Sequence, residues 1–256
     1  MEEPLPVAEP PPDVAKPRAT SLAARLLNVF AMPREVFEEV RAAPGSIGNW
    51  LVPALLWALV AIVAALALLS QPEIRQKINE NQTRAFEKQV QAGKMTKAEV
   101  AQIQHTFDTL SVPVLAGLVF VLSFVRLFWW AFILWLFGLM FLKARFRYLK
   151  SLEVAGLAAM ISVLGVIVAL LLSLDVGQVF SAHGWKLALT DFALARRSRL
   201  IGGAVDVFSV WMLGVMSVGL SRLAGAPFLR AAWLIFAYWL LQQSFFLLLG
   251  FGQLAF

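Results

Sequence analysis

The sequence predicts an all-α fold: a polytopic membrane helix bundle of five transmembrane helices plus an extramembrane helical hairpin. Three observations predict it. Hydrophobic residues make up 60% of the 256 positions and charged residues only 15%, against about 25% charged in soluble domains. The apolar residues fall in blocks long enough to cross a hydrocarbon core of about 30 Å. Polar, helix-patterned segments separate those blocks. With a mean hydropathy of +0.75, these features exclude a soluble globular domain, a disordered chain and a nucleic-acid-binding module. The net charge of +6 is spread along the chain and suits a face opposed to anionic lipid.

Residues 1–19 hold six of the twelve prolines, with four acids and two bases. No apolar face forms there, so a disordered tail is expected. Its acidic start lacks a basic-then-apolar leader, so the first span is expected to be retained as an anchor. Residues 20–48 are amphipathic and interfacial. Leu22, Leu26, Leu27 and Phe30 share one face of a first helix. A second opens at Pro33, a favoured first-turn residue, and turns Val36, Phe37 and Val40 inward before Pro44-Gly45 stops it. These helices either lie on the membrane surface or cap the bundle.

The first span is 49–70. It carries no charge, and Ala54, Ala58, Ala61 and Ala65 form a small-residue stripe suited to close helix approach. Residues 71–111 read as a helical hairpin. Pro72 starts one arm, a turn falls near Gly93, and Thr96 with Glu99 forms a capping box opening the other. The apolar run 112–142 is too long for one span, at about 1.5 Å per residue. Arg126 interrupts it beside Trp129 and Trp130, an arrangement that resembles a water interface. The spanning core is therefore placed at 124–142. Residues 112–123 either lie at the outer interface or continue the hairpin helix past a kink at Pro113.

Residues 143–150, KARFRYLK, hold four bases and form the strongest signal for a cytoplasmic loop. The third span is 152–174, with a second small-residue stripe of Ala158, Ser162, Gly165, Ala169 and Ser173. Residues 175–205 read as a loop with a short amphipathic helix. The fourth and fifth spans are 203–222 and 229–250, the latter containing Gln242 and Gln243. Five spans with 143–150 inside put the N-terminus in the cytoplasm and the C-terminus outside. The arginines at 196–199 then fall outside, against the charge rule. Trp50, Trp129 and Trp130 are expected at interfacial belts, and Trp57, Trp135, Trp211, Trp233 and Trp239 are expected to pack within the bundle.

The chemical inventory is thin. There is no cysteine. His105 and His183 are far apart, and no zinc, phosphate-loop or nucleophile-elbow motif occurs. No catalytic residue, cofactor or metal is assigned, and no enzymatic activity is expected. Arg126 and Asp206 are the ionisable groups nearest the bilayer interior, where such residues are costly and count as functional candidates. Either they pair, or Arg126 snorkels among the tryptophans while Asp206 caps its helix.

Two blocks carry a resemblance. LLNVFAMPREVFEEVRAAP followed by NWLVPALL places Pro33, Phe37, Pro44 and Pro53 in the order found at the start of bacterial Yip/Yif domain proteins. DVFSVWMLGVMSVGLSRLAG, with Asp206, Trp211 and Gly219, resembles the fourth span of that family. The resemblance covers roughly 20–250 and implies a five-span, non-enzymatic bundle. Eukaryotic relatives act in the early secretory pathway and bind prenylated Rab-type GTPases and other Yip proteins. The hairpin at 71–111 is similar to the bacterial branch, which has no Rab partner, so no functional residue is carried over. The function expected is a membrane scaffold or adaptor in membrane organisation or trafficking. Its contacts are the lipid bilayer and other membrane proteins, or copies of itself met through small-residue faces, and no nucleic acid. The alternative is a small transporter, or the membrane subunit of one, moving a small solute past Arg126 and Asp206.

Overall fold

A computed structural model describes residues 20–109, 112–176 and 207–248. The expected tail at 1–19, the loop at 177–205 and Asp206 lie outside the described residues. Every described element is helical: α1 (Leu22–Ala31), α2 (Pro33–Ala42), α3 (Gly48–Ser70), α4 (Pro72–Gln91), α5 (Lys97–Thr109), α6 (Val112–Met140), α7 (Tyr148–Val176), α8 (Val207–Ala224) and α9 (Phe228–Leu248). Among them α3, α6 (from Ala116), α7 (to Leu174) and α8 are long and apolar enough to cross a membrane. The expected fifth span corresponds to α9, a 21-residue helix that is not one of those four. It carries Arg230, Gln242, Gln243 and Ser244, and the span as expected runs beyond the described residues.

The core is organised around α7. Every residue from Ser151 to Ala158 is buried, because α3, α6 and α8 pack around this helix and α9 packs on α8. The pairing of α3 with α7 is the most extensive. The small-residue stripes serve this packing. Ala54, Ala58, Ala158 and Ala169 are all buried within the chain, so these faces are used internally.

Backbone contact between α3 and α7 has its cause in Pro53 and Gly156. Pro53 lies in the second turn of α3 and has no N–H to return to the Asn49 carbonyl. Gly156 closes on that same stretch. A Cβ built there would stand 2.4 Å from the Trp50 Cα and 2.9 Å from the Asn49 oxygen. With only a hydrogen there, the Gly156 backbone can lie beside the carbonyl that Pro53 leaves without its usual helical donor, a setting for the Cα–H···O contacts found where helices meet closely.

The helices α1 and α2 pack across one end of the bundle, against α3, α7 and α8. Ser21 caps α1 by accepting from the Ala24 amide at 3.2 Å, and Pro33 occupies the first turn of α2. Val36, Phe37 and Val40 are buried as their spacing predicts. Leu27 corrects the first face: it is 70% exposed, and Val29 is buried in its place. With Leu22, Leu26 and Phe30, the i+3 position falls under the helix and the i+5 position does not.

The second span also differs from expectation. A single helix runs from Val112 to Met140, and its stretch apolar enough to cross a membrane begins at Ala116 where the expected span began at 124. Pro113 sits in its first turn, where a missing N–H removes no helical bond. Trp130 is buried, with 5% exposure, instead of anchoring at an interface, and Trp233 is 70% exposed instead of packed.

The polar segment after α3 forms α4 and α5 as expected, with Gly93 at φ +67° in the turn. The capping box is present. The Glu99 amide donates to Thr96 Oγ1 at 3.2 Å, while the Thr96 amide and hydroxyl donate to Glu99 Oε2 at 2.7 and 2.9 Å. The Thr96 backbone amide, and secondarily its hydroxyl, hold the Glu99 carboxyl below the usual glutamate range. A depressed folded pKa means that the cap is fully stabilising above the unfolded value and is lost as pH falls through the folded one. The Thr96 amide resonance is therefore expected to titrate with a midpoint below that of a free glutamate. In Thr96→Val the midpoint should rise only part of the way, because the backbone donor remains. An ordinary midpoint in the unsubstituted protein would mean that the box does not form.

Candidate functional site

Two constellations of polar groups stand inside the bundle. The first lies beneath the cap. Glu153, in the first turns of α7, is fully buried. Asn49 Nδ2 donates to its Oε2 at 2.6 Å, and the Lys150 ammonium stands 3.2 Å from its Oε1. Lys150 also donates to the backbone oxygens of Val40 and Ala43, the latter at 2.8 Å. Those are C-terminal carbonyls of α2, which otherwise lack partners and carry the negative end of the helix dipole. One ammonium thus neutralises a buried carboxylate on α7 and caps α2.

The chain of contacts continues outward. Arg25 Nη1 lies 3.5 Å from Asn49 Oδ1, and its Nε lies 3.4 Å from Glu39 Oε2. Thr20 donates its hydroxyl to the other Glu39 oxygen. At the far side of α2, Arg222 pairs with Glu38 at 2.8 Å. The cap is therefore fastened to α8 by an ion pair, to α7 by the Lys150 hydrogen bonds, and through Asn49 to α3.

This arrangement was missed by sequence reasoning. Lys150 was counted as one of four loop bases, and Glu153 as a residue inside an apolar span. The signal was available: Lys-x-x-Glu across one helical turn, with an acid placed inside a membrane segment, has to find a partner.

The family-like positions converge on the same end. Phe37 is fully buried, and its ring stands 3.3 Å from where a Gly219 Cβ would be. The same Cβ would lie 2.3 Å from a Val154 methyl. Gly219 is thus the notch in α8 that receives α2 and α7 together. Trp211 stacks edge-on against Phe30 with centroids 5.8 Å apart. Pro33 opens α2, and Pro44 is exposed in the link to α3.

The second constellation surrounds Arg126. The side chain is half-buried. Its guanidinium lies over the Trp57 ring at 5.3 Å and reaches Ser162 Oγ at 3.5 Å and Met212 Sδ at 3.9 Å. Side chains from α3, α7 and α8 therefore meet it in the interior of the bundle. Its expected partner Asp206 lies outside the described residues. A cavity of about 30 Å³ adjoins the guanidinium on the inner side, and a groove of about 560 Å³ adjoins it on the outer side. Among the described residues no cluster of three or more His, Asp or Glu is placed to hold a metal, and His105 is exposed.

A capped bundle of membrane-crossing helices with internal ion pairs defines the class: a multi-pass integral membrane protein. The chain belongs to the Yip1 domain family, whose model matches residues 27–250. That family is associated with membrane trafficking, and its members are generally non-enzymatic. Neither a curated protein nor a solved structure matches the chain.

Proposed function

We propose that the protein is a membrane scaffold or adaptor that presents the α1–α2 cap to a partner. The observation that carries this reading is the fastening of the cap. The Arg25–Glu39 pair ties the two short helices to each other, and the Arg222–Glu38 pair, the Lys150 hydrogen bonds to the end of α2 and the seating of Phe37 hold them in one orientation on the bundle. Their outer face displays Glu35 and Arg41, which are exposed and join none of those pairs. A fixed polar surface on a membrane anchor suits recognition by a protein, where preorganisation lowers the ordering cost of binding.

The proposed orientation places the cap in the cytoplasm of a bacterial cell. Arg34 and Arg41 lie on α2, Arg25 and Arg222 pair with its Glu39 and Glu38, Lys150 donates to its last carbonyls, and exposed Lys143, Arg145 and Arg147 immediately precede α7 there. Such clustering is what the positive-inside rule rewards. In this reading α9 completes the fifth span, and α4 and α5 stand outside the membrane on the opposite side. The transporter alternative draws on Arg126, but the inner cavity of about 30 Å³ has room for only one or two waters.

Purification of the full chain from its own membranes in mild detergent should bring a stoichiometric protein partner. The charge-reversed double variant Glu35→Arg/Arg41→Glu should lose that partner while eluting as a folded protein. Co-purification of no protein, or of one indifferent to those two positions, would count against the cap as the docking face.

A further inference from the structure

We propose that the link between α6 and α7 is a binding site for a phospholipid whose headgroup carries two phosphodiesters, one seated on Arg145 and the other on Arg147. The site needs only that α6 crosses the membrane, whatever docks on the cap. The apolar stretch of α6 ends at Met140, and Leu139, Met140 and Phe141 are exposed there, so the residues that follow meet the headgroup layer. Exposure alternates along them. Lys143, Arg145 and Arg147 are exposed, while Leu142, Ala144, Phe146 and Tyr148 are half-buried. A period of two marks extended chain, in which successive side chains point to opposite sides. Arg145 and Arg147 therefore share the outer side, about 6.5–7 Å apart at about 3.3 Å per residue, with Lys143 just before them.

This row of cations is held from behind. Leu142, Phe146 and Tyr148 pack against the core, and the Phe146 ring fills the space that a Cβ at Gly138 would take. The Ala144 amide donates to the Gly138 carbonyl at 2.9 Å, and the Leu142 amide to that of Phe137 at 3.1 Å. Lys143 takes φ +52°, in the left-handed region that residues other than glycine rarely adopt, so a cation stands where the turn favours glycine. Among the described residues no carboxylate pairs with Lys143, Arg145 or Arg147. A guanidinium fork matches phosphate oxygens bidentately. The two phosphates of diphosphatidylglycerol are joined by one three-carbon bridge, which spans a distance similar to that between the two arginines. A lipid with one phosphate occupies one arginine and leaves the other to a second molecule, so it forgoes the gain from linking.

The test uses the full chain in nanodiscs of phosphatidylcholine that contain diphosphatidylglycerol or, at equal lipid charge, phosphatidylglycerol. Native mass spectrometry of the released protein counts the lipids that stay bound. One diphosphatidylglycerol is expected to remain, preferred at least about tenfold over phosphatidylglycerol. Arg145→Gln, at an exposed position, should abolish that preference. Lys94→Gln removes an exposed base from the turn between α4 and α5 and should leave it unchanged. Phe146→Ala keeps every charge but frees the row, and should lower the preference; Arg145→Gln decides the matter if Phe146→Ala does not fold. Equal retention of the two lipids, an unchanged preference in Arg145→Gln or in folded Phe146→Ala, or an equal loss in Lys94→Gln would each overturn the proposal, because a diffuse attraction depends on total charge alone. Displacement of the lipid by pyrophosphate would overturn it as well, by making the site one for a soluble diphosphate.

Discussion

Lys150→Met is expected to destabilise the protein by about 3–5 kcal/mol, the usual consequence of removing one partner from a buried ion pair. Glu153 is fully buried, so its carboxylate has no water to turn to when the ammonium is gone. Asn49 supplies one hydrogen bond but no charge. The same substitution uncaps the Val40 and Ala43 carbonyls, so the loss should appear first in the cap. Amide exchange in α2 is expected to accelerate before that in α3 or α7. A double variant, Lys150→Met/Glu153→Leu, removes the stranded charge and should recover a substantial part of the loss, because well-packed apolar replacements of buried pairs are often near neutral. Thermal denaturation in a fixed detergent measures both. A single variant within about 1 kcal/mol of the parent would show that the pair is effectively solvated and that the cap does not depend on it.

Gly156→Ala is expected to cost about 1–3 kcal/mol, the range for forcing extra atoms into a packed core, and Gly156→Leu to prevent assembly of α3 on α7. The added methyl meets the Trp50 Cα at 2.4 Å and its Cβ at 2.7 Å. Neither can rotate aside, so the two helices have to separate along their most extensive contact. Gly214 supplies the control. A Cβ there meets nothing within 4 Å, and alanine is the better helix former by up to about 1 kcal/mol. Gly214→Ala should therefore be neutral or slightly stabilising. Gly219→Ala falls between them, since its nearest neighbour is a Val154 methyl. Equal melting temperatures for Gly156→Ala and Gly214→Ala would refute close backbone packing between α3 and α7.

The helices were legible in the sequence because each leaves a local mark. Pro33 at a first turn, Gly93 at a turn and the Thr96–Glu99 box all act within a few residues. The inward set Val36, Phe37 and Val40 follows from helical spacing alone. Length was harder. The run at 112–142 was shortened because Arg126 was expected to seek water, whereas α6 extends unbroken and Arg126 finds Trp57, Ser162 and Met212 on three other helices. Nothing within α6 announces those partners.

The candidate site was legible only in fragments. Arg126 stood out because a charge in an apolar run is rare, yet the groove beside it is assembled from α3, α6 and α9. Phe37 and Gly219 were noticed separately as family-like positions, and their contact emerges only when α2 crosses α8. Glu153 was overlooked. Its companions Asn49 and Lys150 come from different parts of the sequence, and an acid near a helix start ordinarily faces water.

By itself the sequence determined that this protein is helical, where α3, α7 and α8 lie to within a few residues, and to which family it belongs. Composition, periodicity and capping chemistry are local, and they act before the chain is folded. Only the tertiary structure decided which charges are buried, which small residues touch a neighbour and which tryptophans face lipid. Those outcomes depend on which helix lies beside which, and between helices of nearly uniform apolarity that choice is made by shape and by a few polar atoms. Gly156, Gly219, Lys150 and Glu153 carry that information here, and each acquires its meaning from a residue far away in the chain.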